Sequence, residues 1–166
     1  MNKVIVIAGP TATGKTALSV RLAKELSGEI ISADSIQIYK KLNIGSAKPD
    51  KSEKQGIPHH LMDFLEPDDS YSVADYVKDA KEKIDDLLSV GKTPIITGGT
   101  GLYITSLLDN TEFTSEETDY ALRDELEKRF DLIGADGMLK ELAEFDPESA
   151  ARLHPNNRRR IIRAFE

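Results

Sequence analysis

The chain has 166 residues, a formal net charge of −7, 39% hydrophobic residues and no cysteine. Without cysteine there are no disulfides, thiolate metal sites or cysteine nucleophiles, a composition that suits a reducing cytosol. No apolar run approaches the roughly 18 residues of a membrane span, and no basic segment leads into an apolar stretch at the start, so neither membrane insertion nor a secretory signal is expected.

Val4–Ala8 is a β-branched apolar run that reads as a buried strand. It leads into Gly9-Pro10-Thr11-Ala12-Thr13-Gly14-Lys15-Thr16, which meets the pattern G-x-x-x-x-G-K-[ST] at every constrained position. Thr16 to Leu26 has helical spacing, with Ala17, Leu18, Leu22, Ala23 and Leu26 expected on one side. A strand, a glycine turn and a helix N-terminus together make an anion site. Backbone N–H groups converge there, the helix dipole favours negative charge, Lys15 adds a full charge, and the Thr16 hydroxyl is placed to ligate Mg²⁺. A di- or triphosphate is the expected ligand, as in nucleotide-binding and ATP-binding proteins.

Ser27-Gly28 ends that helix, and Glu29–Ser32 reads as a second strand. Ligands of open parallel sheets bind beyond the carboxyl ends of the strands, which brings Ala33-Asp34-Ser35-Ile36-Gln37 beside the phosphate loop. Asp34 is the candidate acid, either a metal ligand through water or a general base; the alternative is an Asx-type cap of the next turn. Lys48, before Pro49, reads about equally as a contact to the RNA backbone and as a solvated turn residue. His59 and His60 point apart on regular structure and lack a third ligand, so they are read as structural. Ser72-x-x-Asp75 resembles a capping box before a helix carrying Val73, Tyr76, Val77, Ala80, Ile84, Leu87 and Leu88, with Gly91 as its stop. Thr93–Thr97 is a third strand, and Gly98-Gly99-Thr100-Gly101 turns into another helix. That strand lacks the terminal aspartate of a Walker B segment, which weakens a plain ATPase reading.

After about Asn110 the strands stop. Glu116–Phe130, Gly137–Glu144, Pro147–Leu153 and Asn157–Glu166 read as short helices. The expected fold is therefore α/β: a P-loop NTPase-like parallel sheet with helices on both faces (1–111), followed by a small helical insertion domain (112–166). Charge is uneven across these parts. Arg152 to Glu166 holds five arginines against one glutamate, a local +4. If Asn157 caps the last helix, Ile161, Ile162 and Phe165 share one arc, and Arg159, Arg160 and Arg163 gather opposite, an arrangement suited to RNA phosphates.

The phosphate loop, Ser32-Ala33-Asp34-Ser35-Ile36-Gln37-Ile38-Tyr39, Gly45-Ser46-Ala47-Lys48-Pro49, Pro58-His59-His60-Leu61-Met62-Asp63, Gly98-Gly99-Thr100-Gly101-Leu102-Tyr103 and His154-Pro155-Asn156-Asn157 resemble, in order, the landmarks of the tRNA dimethylallyltransferases. The resemblance runs from Lys3 to the last residue. It implies transfer of a dimethylallyl group from dimethylallyl diphosphate to N6 of adenine 37 in the tRNA anticodon stem-loop, by a cytoplasmic and monomeric enzyme with Mg²⁺. It further implies that Thr11 to Thr16 hold the donor diphosphate rather than ATP, and that Asp34 is the base. Asp34, Ser35, Ile36 and Gln37 then contact the flipped nucleotide, Thr100 and Arg123 support catalysis, and Arg159, Arg160, Ile161, Ile162 and Arg163 match the tRNA-contact stretch. Members of that family continue through further core strands, so the first strand is expected to be central in a complete sheet and this chain to be a shortened version. Two other functions fit the same motifs: a small-molecule kinase using ATP, and a non-catalytic fragment that binds diphosphate or RNA.

Overall fold

Strands and helices alternate up to Leu108, and the chain is helical after it. The computed structural model describes residues 3–111, 113 and 119–166. The elements are β1 (Ile5–Ala8), α1 (Lys15–Glu25), β2 (Gly28–Ala33), the single turn α2 (Lys51–Lys54), β3 (His59–His60), α3 (Val73–Ser89), β4 (Thr93–Gly98), α4 (Gly101–Leu108), α5 (Tyr120–Phe145), α6 (Pro147–Arg152) and α7 (Arg158–Phe165). They divide into two compact units, Met1–Phe113 and Thr114–Glu166. Residue 112, where the sequence-based second domain begins, lies outside the described residues.

In the first unit the strands are parallel, in the order β1-β4-β2-β3. Successive side chains of a strand point to opposite faces. Ile30 and Ile95, paired in register, therefore meet Val20 and Ala23 of α1. Ile31, Ala33 and Ile96 face the other way, against Tyr76, Val77 and Ala80 of α3 and Tyr103, Ile104 and Leu107 of α4. Burial on both faces explains why β2 and β4 read as near-continuous apolar runs. Each fully buried isoleucine contributes about 1.5–3 kcal/mol. The rings of Tyr76 and Tyr103 stack with centroids 4.2 Å apart, joining α3 to α4.

Local sequence sets several boundaries. Ser72 accepts from Asp75 N and Asp75 accepts from Ser72 N, so the capping box of α3 is formed. Gly98 is required for sheet packing: a Cβ there would lie 2.0 Å from the Ala33 carbonyl oxygen. That close approach is between β4 and β2. The buried face of α1 also differs from expectation. Ser19, Val20 and Ala23 point inward, whereas Leu18 and Leu26 are 41% and 43% exposed. Ser19 is tolerated inside because its hydroxyl donates to the Thr16 carbonyl at 2.9 Å. β1 lies at the margin of this sheet, paired only with β4 among the described residues. The short β3 was not foreseen; His59 pairs with Ile30 and His60 with Ile31.

The second unit packs Leu126, Met138 and Leu142 of α5 beside Ile161 and Ile162 of α7. Residues 116–118 of the helix expected from Glu116 lie outside the described residues. Gly134 (φ 69°, ψ 178°) breaks α5 between the two helices read from the sequence. Asn157 stands at the start of α7, but its side chain makes no capping bond. Arg158 fastens that end instead, reaching Glu127 and Asp131 and covering the Phe130 ring at 4.7 Å. No helix among the described residues is long and apolar enough to cross a membrane.

Candidate functional site

The carboxyl ends of β2 and β4 and the start of α1 enclose a cavity of about 310 Å³. Thr11, Ala12, Gly14, Lys15 and Thr16 form one wall. The loop turns sharply because Ala12 (φ 67°) and Gly14 (φ 82°) are both left-handed, which suits glycine and strains alanine. Pro10 and Thr13 shape the turn without lining the cavity: the Pro10 carbonyl accepts from Thr13 Oγ1 at 2.8 Å and from Lys15 Nζ at 2.6 Å. Gly9 likewise stays behind the wall. No side chain caps α1, and no acidic residue occupies its first turn. Its leading N–H groups are thus open to an anion, unlike those of the capped α3.

Asp34 stands opposite. Its Oδ1 accepts from Ile36 N at 2.9 Å and Gln37 N at 3.2 Å, forming the Asx-type cap that sequence reading held as an alternative. Oδ2 accepts no hydrogen bond among the described residues, so one oxygen fixes the loop and the other remains for chemistry. Thr100 supports this loop: Oγ1 accepts from Ser35 N at 2.9 Å and donates to Ser35 Oγ at 3.3 Å. Ile36 is 49% exposed beside it. Gln37 lines the cavity, but its amide donates to the Ser46 and Ala47 carbonyls at 3.0 and 3.1 Å and holds the 45–49 loop.

Lys48 is instead an internal group. Its side chain is 4% exposed, and Nζ donates to the Tyr39 carbonyl at 2.7 Å and to Asp63 Oδ1 at 2.6 Å. Asp63 and Leu61 both have left-handed backbone, φ 57° and φ 54°. Such conformations cost roughly 1–3 kcal/mol each in non-glycine residues, less for Asp than for a bulky Leu. Between them Met62 lines the cavity.

Ser32, Ala47, His59, Met62 and Thr97 also line the cavity, as do Glu53 and several small residues, and sequence reading assigned none of these five a site role. Strand parity placed Thr97 and Ser32 on the face of Ile95 and Ile30, a signal that was present. The position of His59 depended on the unforeseen β3. His59 Nδ1–H donates to the Ile57 carbonyl at 2.8 Å, leaving Nε2 as the unprotonated nitrogen of a neutral ring. Burial pushes its pKa below the ordinary 6.5. His59 Nε2 and Thr97 Oγ1 are buried without partners.

The donor set suits a cation bridged by substrate better than one in a protein cage. Among the described residues there is no group of three or more His, Cys, Asp or Glu side chains able to hold a metal. Thr16 and Asp34 both line the cavity, Thr16 Oγ1 and Asp34 Oδ2 make no hydrogen bond among the described residues, and Mg²⁺ commonly takes one or two protein oxygens plus phosphate and water.

Arg123 and the C-terminal arginines belong to the second unit. Arg123 Nε lies 3.4 Å from Glu166, and Arg163 pairs with the same carboxylate at 2.8 Å. Ile161 and Ile162, expected within a tRNA-contact stretch, are fully buried and serve packing. Arg159 and Arg160 are exposed and make no ion pair among the described residues.

The IPP transferase family model matches residues 37–166. The tRNA dimethylallyltransferase of Alkaliphilus metalliredigens (strain QYMF) is 50% identical over 165 residues, 99% of this chain and 53% of that protein. The Bacillus subtilis (strain 168) tRNA dimethylallyltransferase is 51% identical over 98% of this chain and 52% of its own length. Among solved structures, the full-length tRNA isopentenylpyrophosphate transferase of Bacillus halodurans aligns with a TM-score of 0.67 at 43% identity, over 100% of this chain and 55% of that one. A eukaryotic dimethylallyltransferase acting on tRNA aligns with a TM-score of 0.81 at 34% identity, over 98% and 40%. The chain spans about half the length of the curated relatives it matches.

Proposed function

The chain belongs to the IPP transferase family, and on that premise we propose that it carries the donor-binding and base-bearing part of an enzyme moving a dimethylallyl group from dimethylallyl diphosphate to N6 of adenine 37 in tRNA. One observation carries the reading: the uncapped start of α1, with Lys15 and Thr16, opens into the same cavity as Asp34. A diphosphate seated on the loop meets the α1 N–H groups and the Lys15 charge. Magnesium, when bound, would neutralise part of the charge that the leaving diphosphate gains, with Thr16 as its protein ligand.

As the allylic C–O bond breaks, its electron pair leaves with the diphosphate. The adenine N6 lone pair forms the new C–N bond, and the N6 proton passes to Asp34 Oδ2. Because the amine is a weak nucleophile, a base accepting that proton contributes about 10²–10⁴-fold. Asp34 is aimed by its own turn and by Thr100 behind Ser35. The adenine must leave the loop stack to reach it. Ser35, Ile36 and Gln37 flank the base in this reading, and Arg159 and Arg160 meet the anticodon stem-loop backbone. Cytosolic action as a monomer belongs to the same proposal.

The test is incubation with labelled dimethylallyl diphosphate, Mg²⁺ and an anticodon stem-loop, for this chain and for a full-length relative. Label entering the RNA with adenine at position 37, and not with guanine there, is the expected result for the full-length protein. Phosphate transfer from ATP to a small hydroxyl compound would support the kinase instead. Donor binding by the chain without transfer would mark it as a binding unit that needs the remainder for turnover.

A further inference from the structure

The donor cavity has two chemistries. Its phosphate end is lined by Thr11, Lys15 and Thr16, while Met62 is the one large apolar side chain in its lining among the described residues. The other apolar lining residues, Ala12, Ala17, Ala47 and Pro49, are small. A five-carbon chain leaving water needs an apolar surface, and a thioether side chain adapts to irregular shapes.

The backbone on either side of Met62 makes the same point independently. Leu61 and Asp63 both sit in the left-handed region, at φ 54° and 57°. Asp63 N donates to the Gln37 carbonyl at 3.1 Å, and the buried Lys48 ammonium holds Asp63 Oδ1 at 2.6 Å. Leu61 packs against the core cluster of α3 and α4. A strained turn fixed from both sides and presenting one side chain to a cavity is what a shape-setting residue requires.

We propose that Met62 is the wall that receives the prenyl chain of the donor and sets the longest chain accepted. The assignment rests on the donor-site reading above and adds to it a residue that governs selectivity between diphosphates. A thioether carries no charge and no hydrogen-bond donor for phosphate, so Met62 acts on the hydrocarbon alone.

The experiment is calorimetric titration of this chain, with Mg²⁺, using inorganic pyrophosphate and the unreactive thiolodiphosphates of the dimethylallyl and geranyl groups. The parent binds the dimethylallyl analogue more tightly than pyrophosphate and gains nothing from geranyl. Met62→Ala should reduce the dimethylallyl advantage several-fold and improve geranyl relative to dimethylallyl by about tenfold or more, in the range a pocket discriminates small apolar increments. Met62→Leu should stay close to the parent, and Met62→Phe should weaken dimethylallyl binding. Pyrophosphate affinity should stay constant across the series.

Unchanged prenyl-to-pyrophosphate ratios in Met62→Ala and Met62→Phe would overturn the assignment, as would an equal loss for all three ligands. A parent chain that fails to bind pyrophosphate would overturn the donor site itself, a failure visible before any variant is made.

Discussion

At the start of α1 in the first unit, Lys15 stands at the positive end of an uncapped helix; at the start of α7 in the second, Arg158, Arg159 and Arg160 do the same. Both placements oppose the helix dipole, which favours anions there. The second unit supplies anions for one of them, since Arg158 reaches Glu127 and Asp131. Among the described residues, the first unit supplies only the Pro10 carbonyl to Lys15. Where the protein furnishes the counter-charge, the cation is structural. Where it does not, a ligand phosphate would complete the arrangement under the proposed function: Lys15 lines the cavity that Asp34 also lines, and Arg160 lies at a pocket with Arg152 and Arg163.

Five variants press on this contrast, taken from the largest effect. In a full-length version of the enzyme, Asp34→Asn should slow prenyl transfer by about 10²–10⁴-fold while donor binding is kept. The amide oxygen can still accept from Ile36 N and Gln37 N, so a rate within a few-fold of the parent would reduce Asp34 to a turn cap. Ile162→Ala empties a fully buried position in the second unit and should cost about 2–5 kcal/mol there in denaturant melts. Donor binding by the first unit should survive it, and a matching loss of pyrophosphate affinity would show that the two units do not keep separate accounts.

Replacing Arg159 and Arg160 with glutamine should flatten the salt dependence of stem-loop binding by up to about two phosphate contacts. Arg158→Gln should instead lower the melting temperature, because its partners lie within the protein. Equal salt slopes for the parent and the double variant would remove the surface role. The smallest effect concerns pH. His59 is held below its ordinary pKa of 6.5 by burial, so the unfolded chain binds the proton more readily. Stability of the first unit is then full above that value and falls as pH drops below it, towards the depressed folded-state pKa. Thermal melts between about pH 5 and 8 should show this slope, and His59→Phe should flatten it.

Much of the first unit was legible because its signals are local. The phosphate loop, the Ser72–Asp75 capping box and the apolar runs of β2 and β4 each depend on residues close together in the chain. The inward face of α1 was legible only in part: Leu22 and Ala23 pack inward as expected, but Leu18 and Leu26 are exposed and Val20 is buried instead, a choice made by tertiary packing. The far wall of the cavity was also hidden. Met62 is placed by a strained turn, by Lys48 reaching across to Asp63, and by a two-residue strand too short to leave a period in the sequence. In the second unit the apolar arc of α7 was readable. The division among its arginines was not, because the acids that engage Arg158 lie 27 and 31 residues away on α5.

The most direct measurement is the affinity of this chain for magnesium pyrophosphate, parent against Lys15→Ala, by calorimetry. Lys15 contacts the Pro10 carbonyl at the cavity wall, so its truncation removes charge without emptying a core site. If the loop holds the donor diphosphate, the parent binds and Lys15→Ala loses binding by about 100-fold or more with an unchanged thermal melt. Equal affinity in the two proteins would contradict it.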